Sequence, residues 1–206
     1  MRIKLDKRLS RCLSLIEGKS LCDVGTDHGK LPVAALLEGK VKRAIAIDIS
    51  EKSLMKAKVL AEETGVTLSC RAGDGLKPLG VERVDVCVIA GMGGREIVKI
   101  LSETPSAAKR YLLVPHTDAP LVRAFLKEKN IGIVSDEIVK DSGKFYPVIQ
   151  ADPSLPWNET HNLYFRAGGS DAEEYRSLRL KKIESILSFK DDAALEEEKE
   201  ILQCRP

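Results

Sequence analysis

The chain has 206 residues, 43% hydrophobic and 31% charged, with a formal net charge of +2. That length accommodates one full-sized globular core and an appendage, and the near balance of charge excludes a protein that coats nucleic acid by bulk basicity. Its longest apolar runs, such as VDVCVIAGM from Val84 and AIAIDI from Ala44, are far short of the ~20 residues that span a bilayer, and no signal-peptide pattern opens the chain. No membrane association is expected, and the expected compartment is cytoplasmic.

The first eleven residues, MRIKLDKRLSR, hold Arg2, Lys4, Lys7, Arg8 and Arg11 against the single Asp6. Such a basic edge either meets phosphate or forms the solvated side of an amphipathic helix with Ile3, Leu5, Leu9 and Leu13 turned inward. From Ser20 to about Asp152, short apolar runs alternate with helical patterns, as in a doubly wound parallel sheet. SLCDVG (20 to 25) is a strand followed by a helix through LPVAALLEGK. RAIAIDI (43 to 49) precedes a helix from Glu51 to about Thr64, and VTLSCRAG (66 to 73) is the third strand. VDVCVIAG (84 to 91) precedes a helix beginning near Gly94, and RYLLVP (110 to 115) precedes the helix LVRAFLKEKN.

The alternation then stops. GIVSDEIVKDSGKFYPVIQADP holds two strand-like runs separated by DSGK, a turn with no room for a helix. A hairpin closing a parallel sheet adds an antiparallel strand, the arrangement of Rossmann-like methyltransferases and not of ordinary dehydrogenases. The fold class expected is therefore α/β, a Rossmann-like class I methyltransferase fold with a mostly parallel sheet and an antiparallel C-terminal strand. PSLPWNETHNLYFRAGGS (153 to 170) reads as a linker, in which Trp157 pins the segment to the core in preference to stacking on a base. DAEEYRSLRLKKIESILSF places Tyr175, Leu178, Ile183, Ile186 and Leu187 near one helical face, and AALEEEKEILQ is a second helix, giving a helical hairpin over 171 to 206. Its seven basic and ten acidic residues favour packing or partner contact over phosphate binding.

Five cysteines, Cys12, Cys22, Cys70, Cys87 and Cys204, stand singly with no histidine at metal-ligand spacing, so neither a metal site nor a disulfide framework is expected.

The loop after the first strand lies where doubly wound sheets bind ligands. From Gly25 it reads GTDHGK, with Asp27 where a dinucleotide fingerprint needs glycine to admit a pyrophosphate. An aspartate repels pyrophosphate and attracts a cation, which suits S-adenosyl-L-methionine, a sulfonium and ammonium ligand without phosphate. Asp48, about 25 residues after Asp23, ends the second strand where a carboxylate accepts from ribose hydroxyls. Asp74, between Gly73 and Gly75, can take the adenine amino group or merely cap a turn. IAGMGG (Ile89 to Gly94) has three glycines in four positions, required either by close approach of a ligand or by a tight strand-to-helix turn.

DVGTDHGKLP (23 to 32), GDG (73 to 75), IAGMGG (89 to 94) and GKFY (143 to 146) together resemble the bacterial tRNA (adenine-N1) methyltransferase family, which acts on adenosine 22 of tRNA. LDKRL (5 to 9) resembles that family's opening helix, and the likeness covers about residues 3 to 152, the tail only loosely. The chain departs from the family pattern at Gly29, Lys30, Lys52, Ser53, Val114 and Pro147, on the pocket rim and the RNA-facing side. The resemblance implies a methyltransferase domain over 1–152, with cofactor contacts from Asp23, Gly25, Asp27, His28, Asp48, Ile49, Gly73, Asp74, Gly75, Ala90 and Gly91. It implies substrate contacts from Arg8, Met92, Gly93 and Gly94.

The reaction implied is in-line attack of adenine N1 on the cofactor methyl. N1 has an in-plane lone pair and no proton to remove, so catalysis rests on positioning, and on a carboxylate that stabilises the cation forming on the base. Asp27 is the catalytic candidate, with loop ordering or cofactor holding as its alternative roles, and His28 either orients Asp27 or touches the cofactor. Two other classes fit the same residues: a methyltransferase for another RNA, a small molecule or a protein, and a non-catalytic RNA- or partner-binding module. Oligomeric state is not legible.

Overall fold

The computed structural model describes residues 3–103, 106–158, 168–169 and 171–203. Arg2, Cys204 and most of the segment from 159 to 170 lie outside the described residues, with whatever the sequence suggests for them. A basic-patterned opening folds as α1 (Lys7–Leu15), started by the Asp6 carboxylate accepting from the Leu9 N–H at 2.8 Å. Leu9 and Leu13 turn inward as expected, whereas Ile3 and Leu5 reach the same core from the extended segment ahead of the helix.

Apolar runs too short for helices become seven strands: β1 (Ser20–Val24), β2 (Arg43–Asp48), β3 (Ser69–Ala72), β4 (Val84–Met92), β5 (Ala108–Pro115), β6 (Gly132–Asp141) and β7 (Lys144–Asp152). The sheet order is β3-β2-β1-β4-β5-β7-β6. All pairs up to β5 are parallel, and β7 lies antiparallel to both β5 and β6, so the hairpin closes the sheet as the turn at DSGK requires. β3 is shorter than VTLSCRAG suggests because it is the sheet edge, with only β2 beside it and side chains half-buried. β4 runs to Met92, one residue beyond the expected strand, through an irregular step between Ala90 and Met92.

Between the strands lie α2 (Lys30–Leu37), α3 (Glu51–Thr64), α4 (Gly94–Glu103) and α5 (Ala119–Glu128). Period-two alternation along the strands divides the core in two. Cys22, Val24, Ile45, Ile47, Cys87 and Ile89 face the layer of α4 and α5, while Leu21, Ala44, Val86 and Val88 face α1 and α2. The order reverses at β1 and β4, so their carboxyl ends diverge and leave a crevice there.

The C-terminal helices, α6 (Ala172–Leu187) and α7 (Ala193–Gln203), are joined by a forked pair in which Arg179 reaches both oxygens of Glu198 at 2.6 and 2.8 Å. Tyr175 packs on Phe145 of β7, and Asp171 accepts from the Lys140 N–H, tying the hairpin to the sheet. Ile183 is buried, but Leu178, expected on the same inward face, is 48% exposed: α6 meets the sheet at its first turns only. Trp157 packs against the core, and its backbone N–H donates to Asn130 Oδ1 at 3.0 Å, which fits a pin. Cys12, Cys22 and Cys87 are buried and Cys70 is half-buried, all four as free thiols. Among the described residues, no helix is long and apolar enough to cross a membrane.

Candidate functional site

At the end of β1 the chain cannot continue straight, because Gly25 and Thr26 turn to donate their N–H groups to Ile47 O of β2. Gly25, Asp27 and Gly29 then all adopt left-handed backbone, with φ of 69°, 51° and 68°. Aspartate tolerates that region better than most residues, and the Asp27 N–H is further held by Asp48 Oδ2 at 3.1 Å. The second oxygen of Asp48 accepts from Ser50 N at 2.8 Å. Asp48 therefore orders the loop as well as facing the crevice.

A cavity of about 420 Å³ opens there, lined by Arg8, Asp23, Gly25, Asp27, His28, Asp48, Ile49, Ala90, Gly91 and Met92 among the residues singled out by sequence. At its base Asp23 is 5% exposed and accepts from Thr26 Oγ1 at 2.6 Å. Burial raises its carboxyl pKa to about 7, the Thr26 bond pulling down and the charge of Asp48 pushing up. Asp27 is the opposite case, its carboxylate 75% exposed at the rim. Beside it His28 Nε2 lies 2.7 Å from Lys56 Nζ and 3.4 Å from Asp27 Oδ1. The shorter contact makes that nitrogen an acceptor from the ammonium, so it does not donate to Asp27.

Asp74 does not join this group. It lies outside the cavity lining and pairs with Lys77 at 3.0 Å and Lys99 at 3.5 Å; the Lys77 hydrogen bond, more than any other contact, lowers its pKa. Gly73 is nearer, its N–H donating to Asp48 O at 3.0 Å, and Gly75 backs onto Ile100.

The glycines of IAGMGG divide by cause. Gly91 has φ of 85° and faces the cavity, where a Cβ would meet nothing nearer than Arg8 Nη1 at 3.8 Å. Gly93 and Gly94 lie outside the lining: a Cβ on Gly94 would stand 2.3 Å from the Asp118 carbonyl, and one on Gly93 3.2 Å from Thr117 Oγ1. These two are small because the turn after β5 packs on the start of α4. Met92 bends back over the loop and builds an apolar wall, its Cε 2.3 Å from where a Cβ of Gly25 would sit; a side chain at Gly25 would have to displace it and would strain the left-handed backbone there.

The sequence reading passed over His116, in the turn after β5. It lines the cavity beside Gly91, with Nε2 2.5 Å from Arg8 Nη1 and its ring tilted on Tyr146 at 5.2 Å. Arg8 in turn sits 5.3 Å over the Tyr146 ring and donates from Nε to Asp6 at 3.0 Å. Of the other basic residues at the start, Arg11 is engaged by both oxygens of Glu137, so it ties α1 to β6. The site thus has a buried acid at its base, an apolar wall, and a mouth that carries both the exposed Asp27 carboxylate and the Arg8 guanidinium. Among the described residues, no group of acidic, histidine or cysteine side chains is arranged to hold a metal ion.

A methyltransferase-domain family matches residues 5–149. The tRNA (adenine(22)-N(1))-methyltransferase of Bacillus subtilis (strain 168) is 33% identical over 156 residues, covering 73% of this chain and 66% of that protein. The alignment therefore spans just under two thirds of that relative. The crystal structure of the B. subtilis M1A22 tRNA methyltransferase TrmK superposes with a TM-score of 0.80 at 26% identity, covering 98% of each chain. M. capricolum TrmK in complex with S-adenosyl-homocysteine superposes with a TM-score of 0.84 at 21% identity, covering 97% of this chain and 96% of that one, a likeness of fold.

Proposed function

The chain belongs to the methyltransferase-domain family, and from that premise we propose that it methylates N1 of an adenosine in tRNA, the equivalent of position 22, using S-adenosyl-L-methionine. Asp23 carries the reading: a buried carboxylate faces the cavity with a single hydroxyl partner and no cation beside it among the described residues. An uncompensated buried acid is costly unless a cationic ligand completes it, and the ammonium of S-adenosyl-L-methionine does so. When bound, that cofactor supplies a methyl group activated by its sulfonium.

The chain's own residues supply the rest. Asp48 offers its carboxylate to the ribose hydroxyls, and Ile49, 76% exposed at the cavity edge, offers an apolar face to the adenine ring. Gly91 leaves space for the acceptor base and Met92 walls it. Asp27, exposed at the rim, stabilises the positive charge that develops on the base. Because N1 lies on the pairing edge, the target nucleotide must leave its stack before reaching Asp27. Such a substrate also places the protein in the cytoplasm.

The test is methyl transfer from labelled cofactor to unmodified tRNA transcripts, followed by nucleoside analysis. N1-methyladenosine is expected from the wild type, and Asp27→Ala is expected to lower kcat about 100-fold with cofactor affinity held within a few-fold. Another methylated nucleoside, or none, overturns the substrate. Asp48→Ala is expected to weaken cofactor binding about tenfold to a hundredfold in calorimetry, losing a charged acceptor and the anchor of the Asp27 N–H together. Unchanged affinity would remove Asp48 from the cofactor site.

A further inference from the structure

We propose that His116 is a positioning residue for substrate binding: as a neutral imidazole it holds the Arg8 guanidinium at the cavity mouth, where Arg8 receives an RNA phosphate beside the target adenosine. The proposal rests on the RNA reading above for its ligand and on geometry for its parts.

An arginine carries only donors, so the 2.5 Å contact from Arg8 Nη1 makes His116 Nε2 an acceptor. The ring is then neutral with its proton on Nδ1. Asp6 takes Nε and the Tyr146 ring lies under the guanidinium plane, so three elements fix one cation: α1, the turn after β5, and β7. Nη2 makes no hydrogen bond among the described residues. The cluster faces the cavity beside Gly91, whereas Asp23 lies buried at its base and Asp27 is exposed at its rim. A cationic ligand is favoured deep in the site and a phosphate at its mouth, with the acceptor base between them.

Protonation would undo the arrangement by removing the acceptor and placing a second cation against Arg8. The charged groups facing His116 oppose it: partial burial first, then Arg8 and Lys144, push the imidazole pKa below its ordinary value, and only Asp6 pulls the other way. Tyr146 adds a ring without charge, and Asp118, further along the same turn, is directed to Arg95 at 3.8 Å.

Wild type, His116→Ala, His116→Gln, Arg8→Ala and the double alanine variant are compared for tRNA binding, cofactor binding and methyl-transfer kinetics at pH 8 and 5.5. Gln is chosen because its amide oxygen replaces the Nε2 acceptor and does not titrate. His116→Ala is expected to weaken tRNA binding and raise KM for tRNA about tenfold at pH 8, with kcat and cofactor affinity within about twofold. His116→Gln should restore binding and lose none of it to protonation as the pH falls, whereas the wild type weakens as its imidazole protonates, below the ordinary histidine range. The double variant should be no weaker than Arg8→Ala, since the two residues act as a unit. An unchanged KM in His116→Ala, or losses that multiply in the double variant, overturns the proposal. If the wild type neither binds nor methylates tRNA, the RNA reading and the phosphate role both fall. Nitrogen NMR of the imidazole still decides the pairing: His116 should titrate higher in Arg8→Ala, and an unmoved titration overturns it.

Discussion

Replacing Asp23 with Asn is expected to stabilise the ligand-free protein above pH 7 and to weaken its hold on S-adenosyl-L-methionine. The two effects have one cause. Burial raises the Asp23 pKa from an unfolded value near 3.8 to about 7, so the folded state binds a proton more tightly than the unfolded state does. The stability this contributes is fully present below pH ~3.8 and is lost as the pH rises through about 7. At pH 8 the wild type therefore holds a buried charge whose cost is on the order of 4 kcal/mol by the size of the displacement. Asn removes that charge while its amide oxygen still accepts from Thr26 Oγ1, so unfolding curves of the variant should flatten between pH 4 and 7. Cofactor binding should respond in the opposite sense. The wild type should bind more tightly as the pH rises through 7, releasing a proton below it, and the variant should lose about tenfold to a hundredfold in affinity with little pH dependence. Parallel pH slopes for the two proteins in unfolding and calorimetry would show that Asp23 is not the group that titrates.

Asp23 entered the sequence reading through the family resemblance alone, although a local signal for it exists. A charge inside the strand SLCDV breaks an otherwise apolar run, and the structure buries all five positions. The alternation of strands and helices, and the DSGK hairpin that turns β7 antiparallel, were legible because each depends on local periodicity and turn chemistry. Asp27 and Asp48 follow from chain position at strand ends. Asp74 follows the same rule in sequence, yet Lys77 and Lys99 are closer partners for it than the cavity, and Lys99 comes from a different element.

His116 shows where reading by position stops. The turn VPHTDAP carries only turn formers around it, and the residues that give the imidazole a role, Arg8 and Tyr146, lie 108 and 30 positions away in the chain. No window of sequence contains that contact. The glycines of IAGMGG carry the same lesson, since Gly91 answers to the cavity while Gly94 answers to the Asp118 carbonyl of a neighbouring turn. Three like residues in one motif have two physical causes, separated only when β5 is placed beside β4.

A second tertiary contact lies just beyond that turn, and breaking it is expected to give the largest loss of stability. Arg123 of α5 reaches both oxygens of Asp136 on β6 at 2.6 and 2.8 Å, with the two side chains 4% and 3% exposed. Removing one member of a buried pair leaves the other charge uncompensated, at about 3–5 kcal/mol, against a total of about 5–15 kcal/mol for a domain. Arg123→Ala and Asp136→Asn should both show it in denaturant unfolding, but with different pH dependence. Burial already pushes the Asp136 carboxyl up, with Arg123 pulling it back. Without the guanidinium the carboxyl rises further, so the Arg123→Ala defect should shrink in acid, where Asp136 is protonated, and grow as the pH rises through its folded pKa. Asp136→Asn leaves a guanidinium that does not deprotonate, so the stability of that variant carries no titration at this position. Replacing both at once, Arg123→Met with Asp136→Leu, should recover most of the stability, because neither charge is then buried. A double variant as unstable as the singles would mean that the pair orients α5 against β6 through its hydrogen bonds. The turn bearing His116 leads directly into α5, and Glu137, which grips Arg11 of α1, follows Asp136 on β6. Loosening the pair therefore frees both ends of the Arg8–His116 contact, and methyl transfer should fall in the single variants at temperatures well below their unfolding midpoints.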